Sequence, residues 1–320
     1  MHDELLVEVV RADIVESQHR GTLVLLDEEG HQLLALGDAA APMYPRSSLK
    51  PAQATAMVRH GLDLESRLLA LAAASHSGGE WHVAGVEEIL ALHGHTADAL
   101  RCPEGLPLGT NERDAYVREG GRPDRIHFNC SGKHAGFIAT STLQGWDVGT
   151  YLDVEHPMQQ AAREAVESLS GESVSGVTVD GCGAPLFAIS LAGLARVFRT
   201  ISVAPAESAE GRVAAAMRHY PEMVAGVGRD DTIAMQLMPG LIAKIGAEGV
   251  IAMALPDGRA CAIKVSDGAN RGYQPLIRAV LHAWGLADDA VAQLPVAPVL
   301  GGGRSMGRTR LSDAAWAALT

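Results

Sequence analysis

Apolar and polar positions alternate at the start of the chain. Leu6, Glu8 and Val10 interleave with Val7 and Val9, and residues 22–26 and 33–36 flank the turn Glu28-Glu29-Gly30. A period of two bounded by turn residues predicts strands, so residues 4–37 read as an antiparallel opening to a sheet. Pro42 and Pro45 then break the pattern, and after Arg46 the period becomes helical. Ser47 or Ser48 is placed to cap a helix, and Pro51 falls in its first turn, where a missing N–H costs nothing. That helix continues over 52–58 and stops at Gly61, and a second covers 64–73. Residues 74–80 form a polar, Gly-containing loop before a third helix over 81–92.

Residues 101–128 are rich in Pro and Gly with little periodicity, which predicts a long surface excursion. Cys130-Ser131-Gly132-Lys133-His134 opens an apolar helix to about residue 144, and another covers 157–169. A short strand at 177–179 ends in Asp180-Gly181-Cys182-Gly183-Ala184-Pro185, and 187–198 and 206–218 read as helices. Strands return at 241–245, 250–255 and 260–265, followed by a helix over 272–285 and the Gly-rich segment Gly301-Gly302-Gly303-Arg304. Strands at both ends with a helical middle predict an α+β fold. It is one domain over 1–320, with an antiparallel sheet from about 1–40 and 240–320 and a helical lobe over about 47–235.

Composition sharpens this picture in three places. Hydrophobic residues make up 47% of the chain but aromatics only 4%, so the core is built from Ala, Val and Leu. A net charge of −12 argues against a nucleic-acid partner, which would call for clustered Lys and Arg. The four cysteines, Cys102, Cys130, Cys182 and Cys261, are too scattered for a disulfide framework. Acids near the N-terminus and the lack of a long apolar run fit neither a signal peptide nor a membrane span. A cytoplasmic protein with reduced thiols is expected.

Several clusters carry candidate chemistry. Ser47 and Lys50 stand three residues apart at a helix start, where i and i+3 side chains share a face and the amine can serve as base to the hydroxyl. Ser75-His76-Ser77-Gly78 supplies two hydroxyls in one loop, which reads equally as a helix end and turn. Cys130, His134 and Cys182 offer sulfur and imidazole donors suited to Zn²⁺, or are simply buried. Lys244 and Lys264 sit on strands flanked by glycine turns, as edge charges or as cleft cations.

Taken in order, the motifs Pro45-Arg46-Ser47-Ser48-Leu49-Lys50, Ala74-Ser75-His76-Ser77-Gly78, Cys130-Ser131-Gly132-Lys133-His134, Asp180-Gly181-Cys182-Gly183-Ala184-Pro185 and Lys244-Ile245-Gly246-Ala247-Glu248-Gly249 resemble the bacterial asparaginase II family. That family is the thermolabile or Rhizobium-etli type of L-asparaginase. The resemblance implies a fold like that of serine β-lactamases, penicillin-binding proteins and serine-dependent glutaminases. It implies hydrolysis of L-asparagine to aspartate and ammonia, with Ser47 as nucleophile and Lys50 as its base. Ser75 would form a second Ser–Lys tandem with Lys244, with Ser77 and Lys264 as the alternatives. It also implies zinc held by Cys130, Lys133 and Cys182, substrate contacts from Asp180 and His134, and a homodimer. A glutaminase, a β-lactam hydrolase, or a non-catalytic zinc-binding protein are the alternatives to be distinguished.

Overall fold

The computed structural model describes residues 3–319; the first two residues and the last of the expected 1–320 domain lie outside the described residues. The alternating N-terminal segments form β1 (Glu4–Arg11), β2 (Ile14–Leu26) and β3 (Gln32–Leu36), and β4 (Pro42–Met43) follows. The helical middle holds α1 (Lys50–Arg59), α2 (Ser66–Ala72), α3 (Glu80–Leu92), α4 (Thr110–Arg118), α5 (Ser131–Gln144) and α6 (Pro157–Ser170). After β5 (Gly176–Val179) and β6 (Pro185–Ser190) come α7 (Leu191–Val203), α8 (Ala209–His219), α9 (Pro221–Val224) and α10 (Asp230–Leu237). Strands β7 (Ile242–Gly246), β8 (Val250–Ala254) and β9 (Ala260–Val265) precede α11 (Gln274–Ala283) and α12 (Asp288–Val291). The hairpin β10 (Val299–Gly301) and β11 (Arg304–Leu311) and the helix α13 (Asp313–Leu319) complete the described chain.

The main sheet is antiparallel in the order β10-β11-β1-β2-β9-β8-β7, with β3 paired to the far end of β2. It joins the two ends of the chain, as the pattern predicts: Glu8 pairs with Arg310, and Leu23 with Ile263. Helix α7 packs on one face, against β2, β8 and β9, and α11 and α13 pack on the other, against β1 and β11. The α+β class is therefore correct. Beyond α7, α1 is the hub of the helical lobe and touches α5, α6, α7 and α8. Its residues Lys50 to Met57 are all buried, and five of those eight are the small residues Pro, Ala or Thr.

Two expectations need correction. The helix expected over 187–198 begins only at Leu191, because Pro185–Ser190 is the strand β6, buried at all six positions between β4 and β5. A fully buried strand has no alternation, so period alone cannot separate it from a buried helix. Ser190 marks the true helix start, its hydroxyl accepting the Gly193 N–H at 2.8 Å. The excursion over 101–128 contains α4, which has no buried residue and hence no apolar stripe to betray it.

Helices α2 and α5 meet at a glycine. A Cβ on Gly132 would lie 2.4 Å from the Leu71 carbonyl oxygen, so α5 approaches α2 closely only because that position has no side chain. Gly132→Ala is expected to destabilise the protein by about 1–3 kcal/mol through overpacking. The urea midpoint measures this, and an unchanged midpoint would show that the contact yields.

Candidate active site

Ser47 lies not in α1 but in a 3₁₀ turn, Arg46–Leu49, that feeds it. Neither serine caps a helix: the turn and α1 have no side-chain cap, and Ser48 instead donates its hydroxyl to Pro45 O at 2.7 Å. Ser47 and Lys50 stay one turn apart through the backbone, while the Lys50 amine is taken up by other partners. In a 3₁₀ turn residues i and i+3 eclipse, and the Lys50 N–H donates to Ser47 O. Arg46, directly before Ser47, has a φ of 55°, a left-handed conformation that is strained for a side chain of its size. Its guanidinium is fixed 2.6 Å from Asp180 Oδ1 and 3.7 Å from Glu248. Strand β7 presses on the same turn, since a Cβ on Gly246 would meet Pro45 O at 2.4 Å. Ser47 itself is half-buried.

Lys50 is buried, and its amine donates to Ala74 O at 2.5 Å, Ser75 Oγ at 2.9 Å and Cys130 Sγ at 3.1 Å. The loop after α2 is thereby turned toward α1. Ser75 and Ser77 have separate partners, because the Ser77 hydroxyl donates to Ala225 O at 2.9 Å. Among the described residues, no hydrogen bond reaches Ser47 Oγ, and none joins Ser75 to either strand lysine.

Beside Lys50 lies a sulfur-rich cluster. The Lys133 amine donates to Cys182 Sγ at 3.1 Å, and Cys182 Sγ lies 3.7 Å from Asp180 Oδ2. Hydrogen bonding from Cys130, aided by the Lys133 charge and His134, holds the Cys182 thiol far below its ordinary range despite burial. The same hydrogen bond, with burial, pushes Cys130 well up, so the two sulfurs are driven in opposite directions. Burial works against the Lys133 cation, but the two sulfurs outweigh it and raise its pKa. His134 is fully buried and neutral, burial pushing it down to about 4. Its Nδ1 is 2.7 Å from the Tyr151 hydroxyl, and its Nε2 has no hydrogen-bond partner among the described residues.

Lys244 and Lys264 occupy different settings. Lys264 is partly exposed on β9, its amine donating to Glu248 O at 2.7 Å and Val265 O at 2.6 Å. Lys244 is buried on β7, where its amine donates to Ile245 O at 2.8 Å and lies 3.7 Å from Asp231 Oδ2. Burial pushes Lys244 down to about 7, with Lys50 adding to the shift and Asp231 opposing it.

A groove of about 570 Å³ lined by Tyr44, Arg46, Thr178, Glu248 and Lys264 leads to the Ser47 turn. A larger groove, about 1050 Å³, lies under α11 and α13 and contains none of these residues. The sequence singled out neither Asp231 nor Tyr151, and quoted Arg46 without a role. Arg46 had the one available signal, its place immediately before the candidate nucleophile.

The residues at Cys130, Lys133 and Cys182 suit the zinc that the resemblance implies. Two sulfurs and a buried amine converge, and His134 Nε2, without a hydrogen-bond partner among the described residues, lies in the same cluster. Sulfur and nitrogen donors suit Zn²⁺. A different cluster, Asp27, Glu29 and His31, is the only group of three His, Cys, Asp or Glu among the described residues with ligand atoms within 4.8 Å of one another. The sulfur site is thus a ligand set only if Lys133 joins it.

The sequence pattern of L-asparaginase II matches residues 7–311, which makes the protein a hydrolase acting on amides. More particularly, the chain belongs to the L-asparaginase II family. No curated protein matches it. Among solved structures it resembles a β-lactamase from Mycobacterium bovis, with 17% identity and a TM-score of 0.48 over 83% of this chain and 95% of that one. It also resembles Mglu in its native form in 4.3 M NaCl, with 15% identity and a TM-score of 0.45 over 88% and 64% of the two chains. A third is a protein from Bacteroides dorei named for a β-lactamase, with 14% identity and a TM-score of 0.43 over 78% and 86% of the two chains. No helix among the described residues is long and apolar enough to cross a membrane.

The low pKa of Lys244 fixes the sign of a pH effect. Between about pH 7 and about 10.4 the unfolded lysine keeps its proton while the folded one has released it. The unfolded state then binds more protons, so stability rises with pH across that window. Urea titrations from pH 7 to 10 are expected to show this rise in the wild type and a flatter profile in Lys244→Met. Equal slopes would mean that Lys244 keeps its charge in the folded protein.

Proposed function

We propose that this protein is an L-asparaginase working through a serine acyl-enzyme. The observation that carries the reading is the buried Lys50 amine, 2.9 Å from Ser75 Oγ and three residues from Ser47, in a chain of the L-asparaginase II family. A neutral lysine amine has two N–H groups and one lone pair. With Ala74 O and Ser75 Oγ taking the two N–H groups, the contact with Cys130 Sγ is given up in this reading, and the lone pair takes the Ser47 proton. Ser47 Oγ attacks the side-chain amide carbon of asparagine, and the C–N bond breaks as the nitrogen gains a proton and leaves as ammonia. Water then attacks the ester carbonyl, the C–Oγ bond breaks, and aspartate leaves with the Ser47 hydroxyl restored. The Ser47 backbone N–H is the candidate donor to the developing oxyanion.

Ser75 and Lys244 form the second tandem in this reading, which relays the proton to the leaving nitrogen. The depressed pKa of Lys244, about 7, supports that role, because an amine poised near neutrality gives and takes a proton readily. Asp180, with Arg46 held against it, is the substrate contact nearest the groove, and His134 a buried one behind it. Cys130, Lys133 and Cys182 would hold zinc, which supplies a fixed positive charge next to the substrate. In holding it, Lys133 gives up its proton. Four free, buried cysteines fit a cytoplasmic location, and the family resemblance favours a homodimer.

Ammonia release on asparagine, glutamine and a chromogenic β-lactam tests the substrate. Asparagine is expected to be preferred, and a preference for either rival replaces the proposal with that activity. Ser47→Ala is expected to lower kcat by about 10⁴-fold or more while keeping the urea midpoint. Near-normal ammonia release by that variant would sink the acyl-enzyme. Metal analysis is expected to find stoichiometric zinc in the wild type and to lose it in Cys182→Ser. Tight zinc binding without amidase activity would point to a metal-binding protein instead.

A further inference from the structure

Asp231 is a residue for which the motifs give no reason. It sits in the first turn of α10, fully buried, where that helix packs on β7. Strand β7 is the last in the sheet and pairs only with β8, so its outer edge needs a cover. Asp231 supplies it, with Oδ2 accepting the Ile245 N–H at 3.2 Å. The same oxygen lies 3.7 Å from the Lys244 amine, and Oδ1 has no hydrogen-bond partner among the described residues.

Covering one backbone N–H does not call for a charge. An asparagine would accept that hydrogen bond equally well, whereas a buried carboxylate is costly unless a cation faces it. Lys244 is the only residue with which Asp231 forms an ion pair among the described residues. The other charged or titratable groups around the amine are Lys50 on α1, Arg229 at the start of α10, and Cys130 before α5. Lys50 and Arg229 disfavour a charged amine, so Asp231 is the principal group that favours it.

We propose that Asp231 is a positioning residue that holds the Lys244 amine in the cleft and governs when it carries its proton. This rests on the reading of Lys244 as an active-site lysine. Asp231 acts through Lys244 alone, by its charge and by fixing the strand residue next to it.

The test compares Asp231→Asn with wild type in the pH profile of kcat/KM for ammonia release. Alongside it, the ε-carbon shift of Lys244 is titrated by NMR. Asparagine keeps the Ile245 hydrogen bond and removes the countercharge. The limb governed by Lys244 and its NMR midpoint are therefore both expected to move down by about 1–3 pH units. A folded Asp231→Asn with both midpoints unmoved overturns the proposal, since a purely structural role would change stability alone. If the wild type releases no ammonia, the proposed function fails, and the NMR titration still decides the question for Asp231. Should Asp231→Asn not fold, stability is compared between Lys244→Met and Lys244→Met/Asp231→Asn. The double variant is expected to be the more stable, because it leaves no unpaired carboxylate. A double variant no more stable than the single one overturns the pairing.

Discussion

A lysine amine removed from water must be held by acceptors, and Lys50 takes its three from two distant stretches of chain. Ala74 O and Ser75 Oγ come from the loop after α2, and Cys130 Sγ from the start of α5. The loop is itself pinned, with the Ser75 N–H donating to Val224 O and the His76 N–H to Asn129 O. Satisfying one buried amine thus fixes the central helix, the hydroxyl-bearing loop and the sulfur-bearing helix start relative to one another. Because a buried polar group left without partners costs about 1–3 kcal/mol, this constraint is stiff. The placement of the remaining cleft groups follows from it.

Around that amine, charges alternate. Lys133 stands against the Cys182 sulfur, Arg46 against Asp180, and Lys244 against Asp231. Each pair joins a different element to the cleft, so electrostatics and geometry are one and the same arrangement. The strained Arg46 is tolerable within it because Asp180 on one side and β7 on the other leave it little choice of position. A turn held this way keeps Ser47 in one position, which is what the proposed nucleophile needs.

Much of this was legible in the sequence where signals were local. Alternation located the N-terminal strands, and Gly-bounded apolar runs located β7, β8 and β9. What stayed hidden was non-local. The six buried residues of β6 read as helix because burial on both faces erases alternation, and α4 was invisible because it buries nothing. The tighter turn at Ser47 depends on Gly246, two hundred residues away, and on Arg46 meeting Asp180. Asp231 was missed because a buried acid in a short helix looks like an ordinary first-turn residue until the strand it covers is known. The separation of Ser75 from Ser77 likewise depended on Val224 and Ala225, whose neighbourhood no motif marks.

The sheet that closes the molecule also dictates the order in which it is finished during synthesis. β1 pairs with β2 on one side and with β11 on the other, and β2 waits for β9. On the ribosome, the first three strands emerge with long unpaired edges and stay so while more than two hundred residues are added. The apolar faces of Leu23 to Leu26 are exposed to wrong partners throughout that interval. The helical lobe, built from nearer neighbours, can gather first. Lys244 joins its cleft only when β7 is laid against it. The length of that interval is set by the chain between β3 and β9, separately from the stability of the finished fold.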